Sequence, residues 1–177
     1  MLVAELALPH GTPPPGTCVV PGVVSARPVL RAGDRALAAA LCCPAATGVL
    51  VRTTAAWVWT RDTSLAPARL DLATFPGAPP LPGPRPDGRP HALPVRRVRP
   101  DLRAGWTSAR GVPVTDPLTT AVDCARLPEV DVARRCVRAL TDRCGVDPSE
   151  LAERLRTRGG RAGQSTATSR WTPLVTR

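Results

Sequence analysis

A chain of 177 residues with 43 % hydrophobic side chains can bury one substantial core, and no stretch approaches the roughly 18 uninterrupted apolar residues of a membrane span. All 24 basic side chains are arginine against 14 carboxylates, and the net charge of +10 favours nucleic acid or an acidic protein as partner over a small-molecule substrate. The six cysteines contain no C-x-x-C pair, and His10 and His91 sit in proline-rich surroundings far from any of them, so neither a metal nor another cofactor is expected.

Lysine, asparagine, isoleucine and tyrosine are absent, a bias that reports GC-rich codons and discounts the arginine count but not its excess over acids. The N-terminus, MLVAELALPHGTPPPG, lacks the basic start and apolar core of a secretory leader, and a cytoplasmic location is expected. The expected fold class is α+β: a small mixed domain of about four or five short helices with a few short strands and a long Pro-rich loop.

Residues 1–32 form a Pro/Gly-rich N-terminal segment with one β-like run, Thr17-Cys18-Val19-Val20. Residues 33–75 read as a helical pair plus a strand. The first helix is expected from Gly33 to Cys43, with Asp34 in its first turn, where a carboxylate suits the dipole, and Leu37, Ala40 and Leu41 as its apolar stripe. A short apolar run, Val49-Leu50-Val51, leads to a second helix over Thr54 to Trp59, whose threonines are candidate caps. Trp57 and Trp59 read as core anchors, with a base-stacking platform as the alternative. Ala68 to Phe75 alternates apolar and polar side chains as a strand does.

Residues 76–94 hold eight prolines in nineteen positions, which excludes a helix interior or a central strand and leaves a loop of polyproline character. Residues 95–163 read as a strand and three helices. Val95 to Val98 is the strand, and Arg96, Arg97, Arg99 and Arg103 around it form the densest basic run. Phosphate binding by these arginines and a charged edge that resists pairing are equally good readings.

The stretch GVPVTDPLTTAVDCA (111–125) hands an extended run to a helix. Thr115 or Asp116 is the expected N-cap, Pro117 sits at the first helical position where its missing N–H is harmless, and Leu118, Ala121, Val122 and Ala125 make a buried stripe. Asp123, at the stripe's edge, is read as structural, with Arg126, Arg110 or a backbone amide as its partner. Pro128 to Arg143 is a helix with Val132, Ala133, Cys136, Val137 and Leu140 on one face and Arg134, Arg135 and Arg138 on the other. Asp147 to Glu150 reads as a capping box that starts the last helix. Arg156 to Gly163 is either a phosphate-gripping turn or a helix stop, and residues 164–177 form a C-terminal tail, expected to be flexible. Cys42, Cys124 and Cys136 fall on apolar helical positions and read as reduced, structural thiols.

Three segments together, residues 35–57, 111–126 and 147–163, resemble the AbiEi-type antitoxin and transcriptional-regulator family of actinobacterial type IV toxin–antitoxin systems. The junction pattern GVPVT-x-P-x-x-T-x-x-D is matched at Gly111, Val112, Pro113, Val114, Thr115, Pro117, Thr120 and Asp123. The resemblance covers the family's middle α+β domain and implies a non-enzymatic antitoxin or regulator. The partners it implies are a nucleotidyltransferase-like toxin and DNA contacted through the basic run. The alternative is a truncated remnant of a larger DNA-binding or DNA-processing protein. No catalytic residue is assigned.

Overall fold

A computed structural model of the chain describes residues 31–42, 48–74, 93–98 and 105–157, together with the backbone of three strands between residues 2 and 25. Those three are β1 (Leu2–Ala4), β2 (Thr17–Val20) and β3 (Val23–Ser25), which form an antiparallel sheet ordered β1-β3-β2 beside the first helix. Then follow α1 (Ala32–Cys42), β4 (Gly48–Leu50), α2 (Arg52–Thr60), a 3-10 turn (Thr63–Leu65), β5 (Leu70–Thr74) and β6 (Val95–Val98). The chain continues through β7 (Trp106–Ala109), β8 (Val112–Thr115), α3 (Pro117–Ala125), α4 (Val130–Cys144) and α5 (Pro148–Thr157). This is an α+β fold: five helices and a five-stranded mixed sheet ordered β6-β5-β4-β8-β7 among the described residues. The proline-rich loop over 76–92, the tail over 164–177, and Arg99 and Arg103 lie outside them.

The sheet joins distant parts of the sequence. β4 pairs antiparallel with β5 and parallel with β8, β5 pairs parallel with β6, and β7 pairs antiparallel with β8. Paired residues share a face, so Leu50, Leu72 and Val114 lie together, with Leu70 two places from Leu72. All four are at most 2 % exposed and belong to the main core with α1 to α5. Burying each such side chain is worth about 1.5–3 kcal/mol. Val49, Val51, Ala73 and Val98 make a second, smaller cluster on the opposite face. Residues Leu70 to Ala73 are all buried, so β5 is central rather than half-exposed, and its alternation of polar and apolar residues reflects one buried carboxylate, Asp71.

Helix α1 differs from its expected stripe. Ala36, Ala38, Ala39 and Cys42 are the buried apolar residues, beside buried Asp34 and Arg35, while Leu37 and Ala40 are half-buried and Leu41 is exposed. The small side chains form the inner face because they let α1 approach α2 and β8 closely, and bulk is pushed outward. At the start of α2, neither threonine caps the helix. The N-cap position is Val51, and the Thr53 and Thr54 hydroxyls turn to Asp71 instead.

The C-terminal end of α2 closes on Arg61 in the left-handed region (φ 58), and arginines serve its carbonyls. Arg35, 3 % exposed, donates from Nε to the Trp57 carbonyl at 3.1 Å and the Val58 carbonyl at 2.9 Å, and its Nη2 also donates to Val58. Arg143 of α4 donates to the Thr60 carbonyl at 2.7 Å. Burial, then the neighbouring Arg61 charge, lowers the Arg35 pKa to about 10.

Candidate functional site

The strand-to-helix junction of 111–125 is a hydrogen-bonded unit of structural groups. Asp116 caps α3 by accepting from the Thr119 amide at 2.8 Å, and its second oxygen accepts from the Thr119 hydroxyl at 2.8 Å. Pro117 occupies the first helical turn as its fixed φ favours. Thr115 shares a 2.8 Å hydroxyl contact with Thr120, and the Trp59 indole N–H donates to the Thr115 carbonyl at 2.8 Å. Trp57 is 3 % exposed in the core. Trp57 is thereby a core anchor, and Trp59, half-buried, packs against the core and is tied to β8.

Asp123 is half-buried on α3 and is engaged. Arg110, one of its expected partners, instead forms an ion pair with Asp34 at the start of α1. Cys124 on α3 and Cys136 on the neighbouring α4 are both 0 % exposed, and their thiols titrate as neighbours. That interaction pushes the Cys124 thiol up, with burial adding to it, and draws the Cys136 thiol down. Cys42, Cys124, Cys136 and Cys144 are all free thiols. No three His, Cys, Asp or Glu side chains converge as a metal site would need among the described residues.

At the start of α5, Asp147 accepts from the Ser149 amide and hydroxyl, both at 2.8 Å, which holds its carboxyl below the usual range. Glu150 pairs forward with Arg154 at 3.7 Å, a contact the capping-box reading did not include.

The basic run on β6 is divided by the strand's alternation. Arg96 points to the face of Val98 and is held by Asp71, Nε to Oδ1 at 2.6 Å and Nη2 to Oδ2 at 2.9 Å. The hydrogen bond that Arg96 donates to Asp71 raises the Arg96 pKa. Asp71 is 0 % exposed and also accepts from the Thr53 hydroxyl at 2.8 Å. Arg96 is thus committed to Asp71 by two hydrogen bonds while its side chain stays half-buried. Arg97, in register with Leu72 on the other face, is exposed.

A further set of exposed cations sits on α4. Its inner face is Ala133, Cys136, Val137, Ala139 and Leu140, and Arg134, Arg135 and Arg138 project from the outer one. Arg138 stands 3.6 Å from Asp142, whereas neither Arg134 nor Arg135 has a carboxylate within ion-pair distance among the described residues. Helix α5 provides the contrast, because Arg154 and Arg156 are matched to Glu150 and Glu153. Arg61, at the end of α2, is likewise exposed.

Two hollows lie beside these elements. One of about 190 Å³ is lined mainly by apolar groups, among them Ala39, Leu50, Leu70, Leu72, Val95 and Pro113. The other, about 350 Å³ and open, is bounded by Arg31, Gly33, Asp34 and Arg110. No described helix is long and apolar enough to cross a membrane. Comparison with protein-family models, with curated proteins and with solved structures found no match.

Proposed function

We propose that this chain is a non-catalytic antitoxin- or regulator-like protein that acts by macromolecular contact through its basic surface. The observation that carries the reading is the contrast between its carboxylates and its arginines. Asp71, Asp116, Asp34 and Asp147 are engaged in an ion pair or a cap. Arg134 and Arg135 on α4 are exposed and have no carboxylate within ion-pair distance among the described residues, within a chain of net charge +10. Such groups release counterions when they meet a phosphate backbone, which gives affinity without chemistry.

Together with the family resemblance, this makes duplex DNA and a nucleotidyltransferase-like toxin the two partners to test. Fluorescence anisotropy of a labelled duplex should show binding that weakens steeply as salt rises. Co-expression with a nucleotidyltransferase encoded beside it should restore growth that the toxin alone arrests. Failure of both experiments would overturn the reading.

A further inference from the structure

The two edges of the five-stranded sheet are built differently. On one side β6 carries Arg96 and Arg97 in a run of four residues, the kind of charged edge that resists pairing. On the other side β7 reads Trp-Thr-Ser-Ala, with no charge, no proline and an unbroken register. Trp106, Thr107 and Ser108 are exposed, and Trp106 keeps 58 % of its surface in solvent.

The hairpin determines which backbone groups of β7 are open. Ala109 and Val112 flank a two-residue turn, Arg110 and Gly111, with φ of 56° and 84°. Two positive φ angles make this a type I′ turn, whose flanking pair exchanges both backbone hydrogen bonds. Bonded and non-bonded pairs alternate along an antiparallel ladder, so Thr107 and Ala109 address β8. The N–H and C=O groups of Trp106 and Ser108 therefore face away from β8. Pro113, which has no N–H to give, lies opposite Ser108 at a non-bonded pair, as this parity requires.

We propose that β7 pairs antiparallel with β7 of a second copy of this chain about a two-fold axis at Thr107. In that register Trp106 faces Ser108 of the second copy, Ser108 faces Trp106 of the second copy, and all four outward N–H groups find carbonyls. The large indole then lies over a small hydroxyl side chain rather than against another indole. A second copy fits this edge better than an acidic segment does. The strand offers such a segment no cation, and the adjacent Arg110 is already held by Asp34. Self-pairing brings no charged residue of β7 opposite another. The net charge of +10 on each copy opposes association, so the dimer should strengthen as salt rises, the reverse of DNA binding.

Sedimentation equilibrium of the full chain from micromolar to millimolar concentration tests this, with a mass approaching twice the monomer's and more dimer at high salt. Ser108→Pro removes an outward N–H while leaving the bonds to β8, and Trp106→Lys places like charges in the symmetric ladder. Each should weaken self-association roughly tenfold or more, given the two hydrogen bonds lost or opposed per dimer. Circular dichroism should show the fold of Trp106→Lys unchanged, so that it decides the matter if Ser108→Pro does not fold. A chain that stays monomeric at millimolar concentration, or a dimer that Trp106→Lys leaves intact, would overturn the proposal.

Discussion

Arg96 on β6 grips Asp71 on β5 with two nitrogens on two oxygens, at 2.6 and 2.9 Å, and the carboxylate is completely buried. The pair links neighbouring strands in register, and the Thr53 hydroxyl adds a third bond from the start of α2. Removing one partner leaves the other buried or half-buried without its counter-charge. Arg96→Ala or Asp71→Ala should therefore lower stability by about 3–5 kcal/mol in urea unfolding. Replacing both, as Asp71→Leu with Arg96→Met, should recover most of that loss. A fully stable Arg96→Ala protein that has lost DNA affinity would instead restore Arg96 to the binding surface.

Gly105 precedes β7 at a point where its backbone carbonyl accepts from the Asp116 amide at 3.2 Å. A Cβ added there would collide with Asp116 Oδ2 and stand 3.2 Å from its Cγ. The colliding atom belongs to the capping carboxylate, so relief of the clash means loss of the cap. Gly105→Ala should cost about 1–2 kcal/mol, similar to Asp116→Ala, and the double variant should cost little more than either one. Additive losses in the thermal or urea midpoints would show that the glycine matters for some other reason.

The elements legible in the sequence were those whose signal is local. Asp116-Pro117 announces α3 because cap and turn chemistry involve adjacent residues, and the run Val95–Val98 coincides with β6. The face of α1 is not legible from hydropathy, which favours leucine over alanine, whereas close helix packing selects the smaller side chain. Strand β7 carries no local signal of its own, because Trp-Thr-Ser-Ala at an exposed edge buries only Ala109 and so shows no alternation. The clue to it is the following Gly111 in a two-residue turn. The split of the basic run needed Asp71, which lies on another strand, so no local pattern could separate Arg96 from Arg97.

Arg35 is the buried donor that closes α2. Its planar fork reaches two successive carbonyls, those of Trp57 and Val58, from a neighbouring helix. A lysine ammonium cannot span both acceptors in the same way. Arg35→Met should cost about 3 kcal/mol by leaving buried carbonyls unpaired, and Arg35→Lys should recover only part of it. Equal stability of the lysine variant and the parent protein would mean that charge, not the fork, is what α2 needs.

Asp62 and Asp147 both hold their carboxyls below the usual value, chiefly through hydrogen bonds from Ser64 and Ser149. A folded-state value below the unfolded one means the unfolded chain takes up protons first as pH falls. Their stabilising contribution is therefore complete above the unfolded value, about 3.9, and is lost as pH drops through the lower folded value. Melting temperatures of the parent and of Asp62→Ala with Asp147→Ala should differ at neutral pH and converge in acid. A gap that stays constant into acid would show that the carboxylate charge does not carry the effect.

Arg134 and Arg135 separate the basic-surface reading from the β6 run on which it began. Each guanidinium that neutralises a phosphate adds about 0.9 to the slope of log affinity against log salt. Arg134→Ala with Arg135→Ala should flatten that slope by about two if both touch the backbone. Arg96→Ala, its guanidinium being bound to Asp71, should leave the slope where it was. Arg97→Ala reports on the exposed face of β6 in the same assay. A slope that falls only for Arg97→Ala would move the contact surface from α4 to the sheet edge. A slope that none of these variants changes would assign the binding to arginines elsewhere in the chain.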